Sequence, residues 1–240
     1  DNDDRAAAPR IALSFEDNSA RLGDIVADSG YRSFMVDGRH SNLRTRASQL
    51  NEAAHRLAAG SGRAAPFALA FLTDRHRIGN PEPVLRALPP GCAVIYRDYD
   101  EPRRAAVAAR YCSIAKMRGL IFLVAGDASL ARAIGASGVH YPHRMLNEID
   151  RSCGVNSAAC HDETSLRLAA ARGADVAFLS PVFATSSHEM AATLGPARFR
   201  ALSAAAELPV LALGGVDHLN ALMLKAGNVA GLGAIGAFVG

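Results

Sequence analysis

Tryptophan is absent from the 240 residues, and aromatic residues make up only 6% of them. Stacked aromatic platforms of the kind that hold single-stranded nucleic acids are therefore not on offer. Arginines are scattered along the chain and the net charge is only +3, so no nucleic-acid partner is expected. The four cysteines, Cys92, Cys112, Cys153 and Cys160, form no CxxC pair and have no metal-ligand spacing. They read as small buried hydrophobes in a reducing compartment. No apolar run reaches the length of about 18 residues that a spanning helix needs, so no membrane partner is expected. The opening segment, DNDDRAAAPR, lacks the apolar centre of a signal peptide. A cytoplasmic location is the resulting expectation.

What is present is apolar and regular. Half of the residues are hydrophobic, many of them alanine, and the mean hydropathy is near zero at +0.08. That composition predicts a soluble chain with a large core. Its length suits a single (β/α)8 barrel, or a smaller domain with an appendage.

From residue 67 onward, short apolar runs alternate with helical periodicity. Strands are predicted at 67–73, 93–97, 120–125, 138–141, 155–160, 176–181, 209–214 and 230–236. Helices are predicted near 81–88, 101–117, 128–135, 144–152, 163–172, 196–206 and 217–226. Parallel strands need crossovers, and eight such units form the closed (β/α)8 TIM barrel. The glycine- and proline-rich stretch GSGRAAP marks a boundary. Residues 1–63 then form an N-terminal α/β extension packed on the barrel, and residues 64–240 form the barrel itself. In the extension, strands are expected at 11–15 and 33–36, with helices at 19–29 and 43–59. The sequence stops just after the eighth strand, so the 43–59 helix is expected to cover the place of an eighth barrel helix.

Barrels of this kind place chemistry where strands end. The first strand ends at Thr73-Asp74-Arg75-His76 and the second at Arg97-Asp98. The third ends at Ala125-Gly126-Asp127, the fourth at His140-Tyr141 and the fifth at His161-Asp162. The sixth leads to Thr185, Ser187 and His188; the seventh and eighth end in Gly214-Gly215 and Ile235-Gly236. His161 suits proton transfer near neutrality, or else simply hydrogen-bonds its neighbours. Arg97 has the planar fork that grips phosphate, or else pairs with Asp74 or Asp98. His140 reads as a packed rim residue, and His143 and His188 as exposed loop residues. No HxH or HExxH spacing organises these histidines around zinc, and no metal site is assigned. Paired glycines at a strand tip, with a second glycine on the next strand, fit a backbone cradle for phosphate.

The run GVHY…ACH…GADVAFLSPVFATSSH…LGPARF…LPVLALGG resembles the thiamine phosphate synthase and TenI-like family, over roughly residues 66–240. AFLTDR fits the family's opening strand. The resemblance implies a thiazole-phosphate subsite formed by the backbone of Gly214, Gly215, Ile235 and Gly236, with Thr185 and Ser187 in its Thr-Pro-Thr loop and His188 at that loop's lysine. It also implies that the pyrophosphate half is degraded. Of a Gln-x-Arg-x-Lys strand only Arg97 is left, Asn-Asp becomes Ala125-Gly126, a magnesium-binding Asp becomes Ser129, and a serine becomes Ala159. TenI-like members tautomerise a thiazole carboxylate phosphate with an acid/base histidine that matches His161. The implied activity is thus a metal-independent thiazole tautomerase without cofactor. The alternatives are a thiamine phosphate synthase with a degenerate magnesium site, or a non-catalytic binder of thiazole or thiamine phosphates. A homo-oligomer is compatible with each.

Overall fold

Eight parallel strands close into a barrel in chain order, with the last hydrogen-bonded to the first. The computed structural model describes residues 38–184 and 192–238. The chain enters through Gly38–Ala58 (α1) and then runs Leu69–Leu72 (β1), Glu82–Ala87 (α2), Ala93–Tyr96 (β2), Arg104–Met117 (α3), Ile121–Ala125 (β3), Ala128–Ala133 (α4) and Gly138–Tyr141 (β4). It continues through Val155–Cys160 (β5), Glu163–Arg172 (α5), Val176–Leu179 (β6), Gly195–Ala205 (α6), Val210–Ala212 (β7) and Val229–Ala234 (β8). The expected strands at 11–15 and 33–36 and the helix at 19–29 lie outside the described residues.

The strands are buried on both faces, as parallel strands under a helical layer must be. Phe71, Tyr96, Phe122 and Leu179 face outward into the layer beneath the helices, whereas Leu72, Ile95, Leu123 and Phe178 fill the barrel interior. Small residues make room for Phe178: a Cβ on Gly233 would stand 2.9 Å from its ring. All four cysteines are free and buried, and burial pushes the thiols of Cys92 and Cys160 up to about 12. They pack as inert hydrophobes.

Helix α1 covers the outside of β8 and also touches β1 and α2. Ala47, Leu50, Ala54 and Leu57 fall on one face of it and are fully buried. Helix α5 starts in a capping box, in which Asp162 accepts the Ser165 N–H at 2.8 Å, and it ends at Gly173 in the left-handed region (φ 88°).

Two expected helices are 3-10 turns instead, at His143–Glu148 and Ala221–Leu224. In the second, Asp217 accepts the N–H groups of Leu219 and Asn220, and Asn220 accepts that of Asp217. In the first, the chain beyond the turn is held by Asp150, which accepts the Ser152 N–H at 2.9 Å. Such side-chain bonds satisfy the backbone locally and compete with an α-helical ladder. Among the described residues, no helix is long and apolar enough to cross a membrane.

Candidate functional site

Strand alternation decides which side chains reach the mouth. On β5, Ser157 points inward, where its hydroxyl meets His140 at 2.9 Å, and His161 follows on the same side just beyond the strand. Its Nδ1 lies 2.8 Å from the carbonyl oxygen of Ser180, at the end of β6. A carbonyl only accepts, so Nδ1 carries the proton and Nε2 of the neutral ring keeps its lone pair. The ring is exposed. Its backbone is held too, since the His161 N–H donates to Ser165 Oγ at 3.0 Å. Ser165 N–H and hydroxyl bonds hold the neighbouring Asp162 carboxyl below its usual range. The imidazole of His143 stands 5.2 Å from that of His161, centroid to centroid. This places the supposed loop histidine beside the acid/base candidate.

His140 is a different kind of histidine. It lies inside the barrel with its ring edge against Phe178 at 5.5 Å. Burial, and then the charge of Arg97, pushes it down from 6.5 to about 3. The unfolded chain therefore takes up this proton first. The group's contribution to stability is whole above about pH 6.5 and is lost as the pH falls toward 3, at up to about 1.4 kcal/mol per pH unit. Denaturant melts at stepwise lower pH are expected to show this loss in the wild type and a shallower one in His140→Gln. Parallel pH profiles would overturn the assignment.

Arg97 points into the mouth but is engaged. Its Nε donates to Thr73 O at 2.8 Å and its Nη2 to Asp74 Oδ2 at 2.9 Å, so the Asp74 ion pair forms. Gly214 and Gly215 both adopt left-handed backbone, with φ of 92° and 66°. Side chains there would collide: a Cβ on Gly214 would lie 2.9 Å from Pro181 Cα, and one on Gly215 2.7 Å from Ala184 O. The Gly214 and Gly215 carbonyls accept from Phe183 N–H at 3.0 Å and Asn220 Nδ2 at 2.8 Å. Among the described residues their own N–H groups have no acceptor. Ile235 packs against the inner core, and Gly236 opens the last 3-10 turn at the tip of β8. Thr185, Ser187 and His188 lie outside the described residues.

The other side of the mouth holds a cluster that the sequence reading missed. The Tyr99 ring lies over Gly126, where an added Cβ would be 3.5 Å from its Cε1. The guanidinium groups of Arg104 and Arg144 stand 5.4 and 5.7 Å from the Tyr99 ring centre. Burial raises the Tyr99 phenol, and three arginines oppose the rise. The acids here are committed: Asp127 accepts the Leu130 N–H at 2.8 Å and faces Arg104 at 3.6 Å, Asp74 pairs with Arg97, and Asp98 accepts the Arg75 N–H at 2.8 Å. No group of three or more His, Cys, Asp or Glu side chains among the described residues is placed to hold a metal ion. Magnesium commonly rests on only one or two carboxylates, and the nearest candidates here, Asp74 and Asp127, already face Arg97 and Arg104.

Comparison with known proteins agrees with this architecture. A putative thiamine-phosphate synthase of Geobacter sulfurreducens is 29% identical over 185 residues, covering 72% of this chain and 87% of the relative. The thiamine biosynthesis bifunctional protein ThiM/ThiE of Symbiobacterium thermophilum is 34% identical over 170 residues, covering 67% of this chain. This chain spans only 35% of that longer protein. A thiamine phosphate pyrophosphorylase from Pyrococcus furiosus shares the fold, with a TM-score of 0.57 at 20% identity over 70% of this chain and 85% of its own. The profile of the family described as thiamine monophosphate synthase matches residues 69–238. That match runs from the first residue of β1 to the turn after β8, through His161 and the glycine pair, and so the chain belongs to the thiamine monophosphate synthase family.

Proposed function

We propose that this barrel binds a thiazole phosphate on the backbone tips of β7 and β8 and moves a proton on its ring with His161, as a metal-independent TenI-like tautomerase. The observation that carries the reading is the Nδ1 bond to Ser180 O at 2.8 Å. It leaves Nε2 as the free base, aimed away from the protein bond and open to a substrate proton. A tautomerisation removes a proton from one position of the substrate and returns one to another. It needs no net change of atoms or charge, and one imidazole suffices for both steps. The glycine amides would hold the phosphate while the ring lies toward β5, in line with the general value of fixing a substrate against its base. Arg97, already bonded to Asp74, would supply positive charge at the mouth more than a free fork.

The names of the relatives favour a second reading, thiamine phosphate synthesis from a thiazole phosphate and a pyrimidine pyrophosphate. Ionising a pyrophosphate leaving group calls for cations against the developing charge. The acids that would have to hold magnesium, Asp74 and Asp127, are paired with Arg97 and Arg104. The third reading, a catalytically silent binder, shares the phosphate cradle.

One set of assays separates the three. Thiazole carboxylate phosphate is expected to raise the melting temperature and to be isomerised equally well with magnesium and with a chelator. Pyrophosphate release that requires magnesium and both synthase substrates would replace the tautomerase by a synthase. Thermal stabilisation without turnover in either assay would leave a binder.

A further inference from the structure

The loop after β1 carries three basic residues in a row, and the structure sends them in two directions. The Arg75 guanidinium donates to Asp100 O at 2.9 Å and pairs with Glu101 at 3.5 Å. His76 Nε2 meets Asp100 Oδ2 at 2.9 Å. Both therefore face the loop that follows β2. Arg77 faces the opposite way. A turn sets its direction: the Asp74 carbonyl accepts the Arg77 and Ile78 N–H groups at 3.0 and 2.8 Å. Barrel closure decides what it meets there, because β1 lies beside β8 with Phe71 opposite Ala234. The Arg77 guanidinium rests on Gly236. A Cβ built on that glycine would be 2.5 Å from Arg77 Nη2 and 3.4 Å from Cζ.

Arg77 is half-buried, and among the described residues its side chain makes no ion pair or hydrogen bond. The acids of its own loop are unavailable, since the Asp74 carboxylate serves Arg97 and the His76 N–H. A guanidinium packed against a strand tip without a counter-charge is poised for an anion, and its fork matches two phosphate oxygens.

We propose that Arg77 is the cationic contact of the phosphate cradle, closing on the dianion from the β1 side while the glycine amides of β7 and the tip of β8 hold it from below. This rests on the reading that those tips bind phosphate. It assigns the cradle a charge requirement that backbone amides alone would not impose: a phosphate monoester dianion is accepted, and the unphosphorylated alcohol is rejected. Arg77 is a binding and specificity residue here, with no part in proton transfer.

The test is calorimetric titration of the full chain with inorganic phosphate, for the wild type, Arg77→Gln and Arg77→Lys. A charge-assisted contact of this kind is expected to weaken about tenfold to a hundredfold in Arg77→Gln. Arg77→Lys keeps a point charge and is expected to recover part of that loss. The melting temperature of the unliganded Arg77→Gln protein is expected to match the wild type. Equal phosphate affinity in wild type and Arg77→Gln would overturn the role of Arg77 and leave the glycine cradle standing. A wild type that binds no phosphate would overturn the cradle itself. A fall in unliganded melting temperature that accounts for the lost binding would make Arg77 a structural residue and also overturn the proposal.

Discussion

His161→Ala is expected to lower tautomerase turnover by about a thousandfold, within the usual range of about 10² to 10⁴ for loss of a positioned acid/base. Phosphate-ligand affinity should stay within about twofold of the wild type, because the glycine tips belong to other strands and do not touch the imidazole. Among the described residues, neither nearby histidine is a ready replacement. His140 is buried, bonded to Ser157 and pushed down to about 3, so it stays neutral and out of reach. His143 stands a ring-to-ring distance of 5.2 Å away, and no carbonyl fixes its tautomer among the described residues. Measuring kcat and the affinity for thiazole carboxylate phosphate side by side checks this. Turnover that survives in His161→Ala would remove this residue from the mechanism, whereas equal losses of turnover and affinity would mean that it holds substrate.

A chain that begins at residue 64 is expected to aggregate instead of folding. The reason lies in α1, whose Ala47, Leu50, Ala54 and Leu57 are fully buried against β8 and its neighbours. Truncating one buried leucine to alanine typically costs about 2–5 kcal/mol, and a whole domain holds only about 5–15 kcal/mol. Removing the helix also exposes the outward apolar side of β8, with Val229, Leu232 and Ala234, as a continuous sticky surface. Leu50→Ala and Leu57→Ala in the full chain should each lower the melting temperature without abolishing folding. A chain from Val36 keeps the helix and serves as the control. If the fragment from residue 64 is monomeric and melts cooperatively, the helix is dispensable.

The barrel was legible because its strands are buried on both sides. GVHY and VNSAAC stand where the apolar runs place them, at Gly138–Tyr141 and Val155–Cys160, and the order of strand and helix leaves a parallel sheet few alternatives. The family resemblance read from GVHY to LALGG is borne out by the profile over residues 69–238. The 3-10 turns were not legible. Their apolar spacing is helical, while the Asp217–Asn220 exchange that replaces the helix depends on side-chain geometry. The 43–59 periodicity predicted a helix, and the structure extends it to Gly38–Ala58.

Candidate residues at strand ends were readable one at a time, because period-two alternation tells which side chain rises into the mouth. Partners were not. The proton on His161 Nδ1 is set by a carbonyl 19 residues away on the next strand. Arg97 is claimed by Asp74 across β1 and β2, Tyr99 lies over Gly126, and Arg77 reaches Gly236 only because the sheet closes on itself. Local pattern specifies where backbone and apolar surface go, since both are governed by near neighbours along the chain. Which charge meets which is governed by distance in space, and closure of the barrel brings together β1 and β8, the two strands furthest apart in sequence.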